Sequence, residues 1–326
     1  MRAQRPSRAR RLRRGRLVNG PRVLVTGGSG FVGSKVVPLL RSSGVRVRVL
    51  AHQWSPTAGP RFEVVKGDLT DPATLRGICR DVDRVLHLAS YVGKDEERSV
   101  AVNVDGTRHL VAEALRAGVD GLVQLSTAAV YGNGPFRRAV EGTVNPRPVS
   151  STSRNRLAGE RFVLRAGGVV LRPYLVYGRG DRWVMPALLR MVRALRSGLP
   201  DGGSALLSLT EVGSLATTFA RMALGSPSRR VTGVLHACPP RPVSLGELVG
   251  AAHRQLGFPL TQGDQPFERA KRELIAAGCD SHLLDLFAVD HWFDATRLRA
   301  GYGCAPDVGL PAGLAAHAAW YRDQLF

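Results

Sequence analysis

Two polar side chains, Thr152 and Arg156, stand in the stretch TSRNRLAGE, residues 152–160. The stretch opens a segment whose pattern predicts a helix. A threonine hydroxyl donates and accepts hydrogen bonds but is far too weak an acid to supply a proton at neutral pH. Arginine binds hydroxyls and keeps its positive charge without titrating. These residues can therefore hold a ligand, and a proton has to come from elsewhere.

A glycine-rich segment, TGGSGFVG at residues 26–33, joins the predicted strand RVLVTGG to the predicted helix FVGSKVVPLLRSSG. Its glycines permit a tight turn, close approach of the backbone to a pyrophosphate, and close packing of the helix on the strand. The helix N-terminus adds unpaired N–H groups and a partial positive charge. The segment predicts a dinucleotide site with contacts from Gly27, Ser29, Gly30, Phe31, Val32 and Gly33.

The end of the second predicted strand bears on which dinucleotide is used. An acid there would bind the ribose 2′-hydroxyl of NAD, but this chain reads LAHQWS. His52, with Arg46 and Arg48 nearby, leaves the site neutral to basic. We therefore predict NADP(H), with NAD(H) as the alternative cofactor.

The elements that must position these residues alternate between strands and helices. After the glycine segment come VRVRVLA, FEVVKGDL, VDRVLHLAS, GLVQLST and GVVLRPYLVYG as strands, with helices between most of them. This alternation predicts an α/β fold with a doubly wound parallel sheet. Helical patterns dominate after about residue 178. We therefore expect a tail at 1–20, a dinucleotide-binding domain at 21–177 and a smaller helix-rich substrate lobe at 178–326.

Composition excludes several classes of protein. No apolar run approaches the length of a membrane helix. Residues 1–20 carry eight arginines and no acid, and without them the net charge of +20 falls to +12. The composition of this tail predicts that it is disordered. It is the one feature that would favour nucleic acid as a partner, and we do not expect that partner. Four cysteines without metal spacing predict reduced thiols, no metal site and a cytoplasmic protein. The sequence leaves a monomer and a homodimer open.

These motifs together resemble the extended short-chain dehydrogenase/reductases, also called the NAD-dependent epimerase/dehydratase family. GDL at 67–69, HLAS at 87–90, NVDGT at 103–107 and LSTAAVYG at 125–132 carry the resemblance with the glycine segment. The resemblance implies a Rossmann-type sheet and places Thr127 at the family's catalytic Ser/Thr position. It also implies further cofactor contacts at Asp68, Leu69, Leu88, Ala89, Ser90, Arg156, Pro173 and Leu175.

The chain departs from the family at its Tyr-x-x-x-Lys pair. Aligning LAGE puts Thr152 at the tyrosine position and Arg156 at the lysine position. In the family, that lysine lowers the pKa of the phenol, which protonates the carbonyl oxygen. No other residue is a convincing general acid, since Tyr131 and His87 are expected to be structural. Substrate contacts are expected from Tyr91, Thr127, Tyr174 and Trp183.

Three functions remain open from the sequence. The first is an NAD(P)H-dependent ketoreductase with an atypical active site, which the missing pair and the resemblance to angucyclinone ketoreductases of antibiotic biosynthesis favour. Its substrate would be a ketone on a polycyclic aromatic polyketide that supplies its own proton. The second is a non-catalytic NADP(H)-binding redox sensor. The third, far behind, is a nucleic-acid-binding protein. A nucleotide-sugar enzyme is disfavoured because such enzymes usually depend on the missing pair.

Overall fold

The computed structural model describes residues 20–52, 57–225, 231–260, 263–303 and 307–326. The predicted disordered tail lies, apart from Gly20, outside the described residues. Within the described ranges, no helix has both the length and the apolar character needed to cross a bilayer.

The longer strands lie in the first half of the chain, and the strands of the second half are short. Their bounds are β1 Arg22–Thr26, β2 Arg46–Ala51, β3 Phe62–Lys66, β4 Arg84–His87, β5 Gly121–Leu125, β6 Phe136–Ala139, β7 Val169–Arg172, β8 Leu175–Tyr177, β9 Leu199–Pro200, β10 Leu206–Leu207, β11 Leu209–Glu211, β12 Gly233–His236, β13 Val243–Ser244, β14 Asp264–Gln265 and β15 His291–Phe293.

Helices connect these strands and build most of the second half. Their bounds are α1 Gly33–Ser42, α2 Glu96–Val100, α3 Thr107–Arg116, α4 Ser151–Arg165, α5 Val184–Ala194, α6 Val212–Leu224, α7 Leu245–Leu256, α8 Phe267–Ala276, α9 His282–Phe287, α10 Thr296–Tyr302 and α11 Leu310–Leu325. A π-helical turn, Ala101–Gly106, joins α2 to α3, and a 3-10 turn, Ala128–Tyr131, follows β5.

The main sheet has seven strands in the order β12-β7-β5-β4-β1-β2-β3, and every pairing is parallel. One apolar core lies between this sheet and α1 with α6, and a second lies between the opposite face and α3 with α4. Burial on both faces explains why the strands read as near-continuous apolar runs. The strand order reverses between β1 and β4, so a crevice opens there at the carboxyl ends. This confirms the predicted doubly wound Rossmann-type fold.

The stretch GVVLRPYLVYG differs from the single strand that its pattern predicts. It divides at Pro173, and β7 stays in the main sheet while β8 pairs with β11. Proline has no N–H to continue a ladder, which limits it to strand ends and edges. The carbonyl oxygen of Pro173 instead accepts a hydrogen bond of 2.7 Å from the N–H of Ala128. The division brings the residues after β7 alongside the end of β5.

The second half of the chain builds a lobe around its own apolar core, formed largely by α5, α7, α8, α9 and α11. A small sheet in the order β13-β10-β15-β6 lies beside it. The chain does not divide cleanly at residue 177, because β12 completes the main sheet and α6 packs against α1. Conversely, β6 comes from the first half and pairs with β15. The two halves therefore share elements at the end of the sheet where the site lies.

Candidate functional site

The glycine turn between β1 and α1 is shaped by close backbone contacts. Gly27 has a φ of +70°, and a Cβ added there would lie 2.5 Å from the backbone nitrogen of Ala89. A Cβ at Gly33 would lie 2.0 Å from the carbonyl oxygen of Gly27. These two positions require glycine. A Cβ at Gly30 would meet only the Gly27 oxygen, at 3.2 Å, so the outer side of the turn is open for a ligand.

The N-terminus of α1 points its donors at this open side. The N–H of Gly30 donates to the carbonyl oxygen of Gly27 and closes the turn at 3.0 Å. Among the described residues, the N–H groups of Phe31 and Val32 have no acceptor. Unpaired N–H groups at a helix N-terminus after a glycine turn suit a pyrophosphate. The turn, including Ser29, therefore fits the phosphates of a dinucleotide.

The end of β2 differs from the sequence prediction in its charge. His52 lies at this end, with its Nε2 3.3 Å from Oδ2 of Asp68. Burial raises the pKa of Asp68, but hydrogen bonds from Thr70 and the nearby His52 and Arg98 side chains outweigh this effect and lower it. The Asp68 carboxylate is therefore ionised next to His52.

The two arginines of β2 do not contribute to this end, and that part of the prediction is wrong. Arg46 begins the strand and donates to the carbonyl oxygen of Gly20. Arg48 is buried, pairs with Glu63 at 2.9 Å and donates to the carbonyl oxygens of Ile78 and Arg80. Both residues lie toward the amino end of a parallel strand, away from the ligand edge. Of the three basic residues, only His52 lies at the carboxyl end.

The loop after β4 is held by one buried amide. Asn103, in the π-helical turn, accepts hydrogen bonds from the N–H of Tyr91 at 2.9 Å and the hydroxyl of Ser90 at 3.0 Å. Its own NH2 donates to the carbonyl oxygen of Tyr91 and to Ser99 Oγ. A π-turn is often found at functional sites. Here it turns Asn103 toward the loop that continues from Leu88 and Ala89.

His87 stabilises the same region as a neutral imidazole. Its Nδ1 lies 2.7 Å from Thr26 Oγ1, and its Nε2 lies 3.0 Å from Thr107 Oγ1. The Thr107 hydroxyl donates to the carbonyl oxygen of Asn103, so it accepts from Nε2–H. Burial, and secondarily the charge of Arg156, lowers the pKa of His87 to about 4. The residue is structural, as its position on a buried strand suggests.

Thr127 lies at the carboxyl end of β5 and begins the 3-10 turn. Its half-buried hydroxyl oxygen accepts a hydrogen bond of 3.1 Å from the N–H of Ala129. This contact uses the oxygen as an acceptor and leaves the hydroxyl hydrogen to donate. Thr127 can therefore offer a hydrogen bond to a ligand oxygen at the edge of the sheet.

Thr152 and Arg156 lie on one side of α4 and reach the same edge. The Thr152 hydroxyl donates to the carbonyl oxygen of Gly93 at 3.4 Å, in the loop after β4. Arg156 donates to the carbonyl oxygen of Leu125 at 2.9 Å, at the end of β5. Burial lowers the pKa of Arg156 to about 10, with Glu160 opposing the shift. Arg156 is therefore cationic at neutral pH, and neither residue is an acid at that pH.

A buried ion pair lies behind these residues, which the sequence analysis missed. Glu160 and Arg172 are both less than a tenth exposed and pair directly, with Arg172 Nε 3.0 Å from Glu160 Oε1. Glu160 also accepts from the hydroxyl of Ser126. The guanidinium carbon of Arg172 lies 4.9 Å from the ring centre of Tyr131. The pair ties α4 to β5 and β7, and its only signal in the sequence is an arginine at the end of the otherwise apolar strand VVLR.

The residues after β7 divide between lobe core and surface. The ring of Tyr174 stacks on His291 with centres 4.4 Å apart, and its hydroxyl donates to the carbonyl oxygen of Leu286. Burial raises the pKa of Tyr174 well above its ordinary value. Pro173 and Leu175 are buried on either side of it. Trp183 is 59% exposed at the start of α5. Four other large apolar residues of the lobe belong to its core: Met185, Leu283, Leu284 and Phe287.

The remaining aromatic candidates have structural partners. The Tyr91 ring packs under the guanidinium of Arg98, 5.1 Å from its centre. The Tyr131 hydroxyl lies 2.8 Å from Nε2 of His236, and burial raises the pKa of Tyr131. The 3% exposure of Tyr131 keeps it from a ligand. Tyr91, which is half-buried, is the one of the two with a surface toward the site.

A family model described as the NAD dependent epimerase/dehydratase family matches residues 23–223. The chain belongs to this family. The matched range runs from β1 to α6 and includes the glycine turn, Thr127 and the whole of α4.

Relatives of several activities are similar to the chain. A 3 beta-hydroxysteroid dehydrogenase/Delta 5-->4-isomerase of Mycobacterium tuberculosis is 33% identical over 189 residues, which cover 52% of this chain and 51% of that protein. The first relatives are thus matched over about half their length. A 4-hydroxy-2-methyl-3-oxo-4-farnesyl-3,4-dihydroquinoline-1-oxide ketoreductase of Stigmatella aurantiaca is 28% identical over 265 residues, 77% of this chain and 78% of that protein.

The solved structure of MoeE5 in complex with UDP-glucuronic acid and NAD is similar in fold. Its TM-score is 0.72 at 26% identity, and the superposition covers 93% of this chain and 99% of that one. The structural similarity therefore extends past the family match at residues 23–223 into the second lobe.

Proposed function

We propose that this chain is an NADP(H)-dependent ketoreductase that reduces a ketone on a polycyclic aromatic polyketide and takes the proton from the substrate itself. The observation that carries the proposal is the pair on α4. Thr152 and Arg156 face the loop after β4 and the end of β5, where the family's acid and its lysine are expected. The chain keeps the groups that bind and orient, and it lacks the group that protonates.

Two relatives support a ketone as the reacting group. The Stigmatella aurantiaca protein is a ketoreductase of a ring ketone. The 2-alkyl-3-oxoalkanoate reductase of Stenotrophomonas maltophilia is 26% identical over 328 residues, 90% of this chain and 97% of that protein. In lacking the Tyr–Lys pair, the chain also resembles the angucyclinone ketoreductase of simocyclinone biosynthesis. This resemblance implies a polycyclic aromatic ketone as the substrate.

The chain's own residues bind, orient and stabilise charge in this proposal. The dinucleotide supplies a hydride. The turn around Gly27 and Gly30 holds its pyrophosphate, and Arg156 binds its ribose hydroxyls. Thr127 donates a hydrogen bond to the ketone oxygen as negative charge grows there. Arg156 adds a fixed positive charge at the same edge.

The proton comes from a phenol beside the ketone. Hydride addition leaves an alkoxide, and a phenol peri to the carbonyl has a pKa of about 10, similar to tyrosine. Transfer within one molecule gains from proximity, worth roughly 7–11 kcal/mol in well-oriented cases. One hydride and one proton then turn the ketone into an alcohol and leave a phenolate, which water reprotonates.

A non-catalytic redox sensor is the second candidate, because the α4 pair holds no group that protonates a substrate at neutral pH. The two candidates predict different behaviour of bound NADPH. A ketoreductase oxidises NADPH in the presence of a polycyclic hydroxyketone, and absorbance at the nicotinamide band falls. A sensor binds NADPH but does not oxidise it with any ketone tested. That result would refute the ketoreductase proposal.

A further inference from the structure

A small cavity of about 50 Å³ opens next to Thr127 and the start of α4. It lies between the two halves of the chain, and residues from both contribute to its wall. The 3-10 turn and the loop before α4 form one side, and α9 with His291 forms the other. Its lining residues are Ala129, Gly132, Asn133, Val149, Ser150, Ser153, Tyr174, His282, Asp285, Leu286 and His291.

Asp285 is the ionisable acid in this wall. Its Oδ2 accepts a hydrogen bond of 3.0 Å from the amide of Asn133 and lies 3.5 Å from Nδ1 of His282. Within the described part of the chain, its Oδ1 has no hydrogen-bond partner. Its side chain is 36% exposed. One carboxylate oxygen is therefore fixed by the protein, and the other remains available to a donor.

The rest of the wall is poor in positive charge. None of the lining residues is lysine or arginine, and His282 already faces Asp285. The N-terminus of α4 reaches this wall, but the N–H of Ser153 is already capped by Ser150 Oγ at 3.2 Å. Without an arginine or lysine beside it, the wall leaves most of the charge of a diphosphate unpaired. A carboxylate facing the ligand would instead repel it. The carbon surfaces of Val149, Tyr174 and Leu286 suit an apolar framework.

Resting on the proposed function, we propose that this cavity, called here the Asp285 cavity, recognises an uncharged, hydroxyl-bearing end of the substrate and excludes nucleoside-diphosphate sugars. The free oxygen of Asp285 accepts a hydrogen bond from a substrate hydroxyl remote from the ketone. The ring of Tyr174 and the side chain of Leu286 contact the carbon skeleton. The fold is similar to that of MoeE5, which was solved in complex with UDP-glucuronic acid and NAD, so the fold alone does not separate the two substrate classes.

The test measures binding to the complex with NADP⁺, so that no turnover is needed. The probes are a neutral tetracyclic ketone with a hydroxyl at its far end, the same ketone without that hydroxyl, and UDP-glucose. The wild-type protein should bind the hydroxylated ketone about tenfold or more tightly than the deoxy compound, as expected for a hydrogen bond to a charged group. UDP-glucose should bind more weakly than either.

Asp285→Asn should lose the preference for the hydroxyl by about the same factor and leave the deoxy compound unchanged. Asn at this position still accepts from Asn133, so the wall is retained, and NADPH affinity reports that the fold is intact. Asp323→Asn removes one negative charge from the exposed face of α11 and serves as the control. It should change none of these affinities.

Tighter binding of UDP-glucose than of the neutral ketone would overturn the proposal. Equal affinity of the wild-type protein for the hydroxylated and deoxy ketones would also overturn it, and that comparison needs no variant. The two proposals fail separately. If the affinities follow the expected order but no ketone is reduced, the ketoreductase is refuted and the cavity assignment stands.

Discussion

The glycine turn and the α4 pair lie at the same edge of one sheet, yet they tolerate change differently. At Gly27 and Gly33 the backbone leaves no room for a Cβ, so the fold itself requires the residue. Thr152 and Arg156 make one hydrogen bond each to a backbone carbonyl, and we expect other side chains to be tolerated at those positions. On the proposed function, this chain keeps the cofactor turn and lacks the acid of its family.

The largest effect is expected from a side chain placed in the turn. Gly33→Ala puts a Cβ 2.0 Å from the Gly27 carbonyl oxygen, a backbone atom that cannot move without opening the turn. We expect NADPH affinity to fall by about a hundredfold or more, equivalent to roughly 2.7 kcal/mol, measured by fluorescence titration. Gly59→Ala, where an added Cβ meets nothing within 4 Å, is the control. Equal affinity of the two variants would contradict the close contact.

The buried Glu160–Arg172 ion pair should contribute more to the stability of the protein than Thr152 or Arg156 does. Glu160→Gln leaves Arg172 buried without a counter-charge. We expect the free energy of unfolding in urea to fall by about 3–5 kcal/mol. The exposed Glu97→Gln is the matched control. A loss below about 1 kcal/mol would show that Arg172 finds another partner or water.

His87 gives the turn region a pH dependence below pH 7, a range in which Arg156 of α4 stays charged. Its pKa of about 4 in the folded protein lies below the ordinary value of 6.5. The unfolded chain therefore takes up the proton first, and stability present above about pH 6.5 is lost as the pH falls toward 4. The contribution is about 3 kcal/mol. His236 and His291 shift in the same direction, so urea unfolding of wild type is compared with His87→Gln between pH 7 and 5. His87→Gln should show the shallower loss, and equal slopes would refute a neutral buried His87.

The smallest effect concerns the choice of cofactor. Arg46 and Arg48 lie toward the other end of β2, so the proposed preference for the 2′-phosphate rests on His52, which lies 3.3 Å from the Asp68 carboxylate. We expect His52→Asp to weaken NADPH about tenfold or less and to strengthen NADH, because an acid there accepts from the ribose 2′-hydroxyl. The ratio of the two dissociation constants is the measurement. If the wild-type protein binds NADH as tightly as NADPH, the proposed preference for NADPH is wrong.

The sequence predicts the parallel sheet, the glycine turn and the helices of the lobe because each depends on local pattern. It does not predict the division of GVVLRPYLVYG, where a single proline moves β8 to another partner. Nor does the sequence show that Arg46 and Arg48 lie away from the cofactor site, because the position of a residue along a strand decides which edge of the sheet its side chain reaches. The Glu160–Arg172 pair and the Asp285 cavity join residues far apart in the chain, and only the folded structure brings them together.

The central claim is that the proton comes from the substrate, and single-turnover oxidation of NADPH tests it most directly. With a polycyclic ketone carrying a peri phenol, Thr127→Val, Tyr91→Phe and Thr152→Ala should each slow the reaction by less than the roughly 10²–10⁴-fold that follows loss of a general acid. Methylating the phenol should slow the wild-type protein more than any of these changes, with binding of the methylated ketone checked separately. A thousandfold collapse in one variant that still binds NADPH and ketone normally would identify a protein acid and contradict the account.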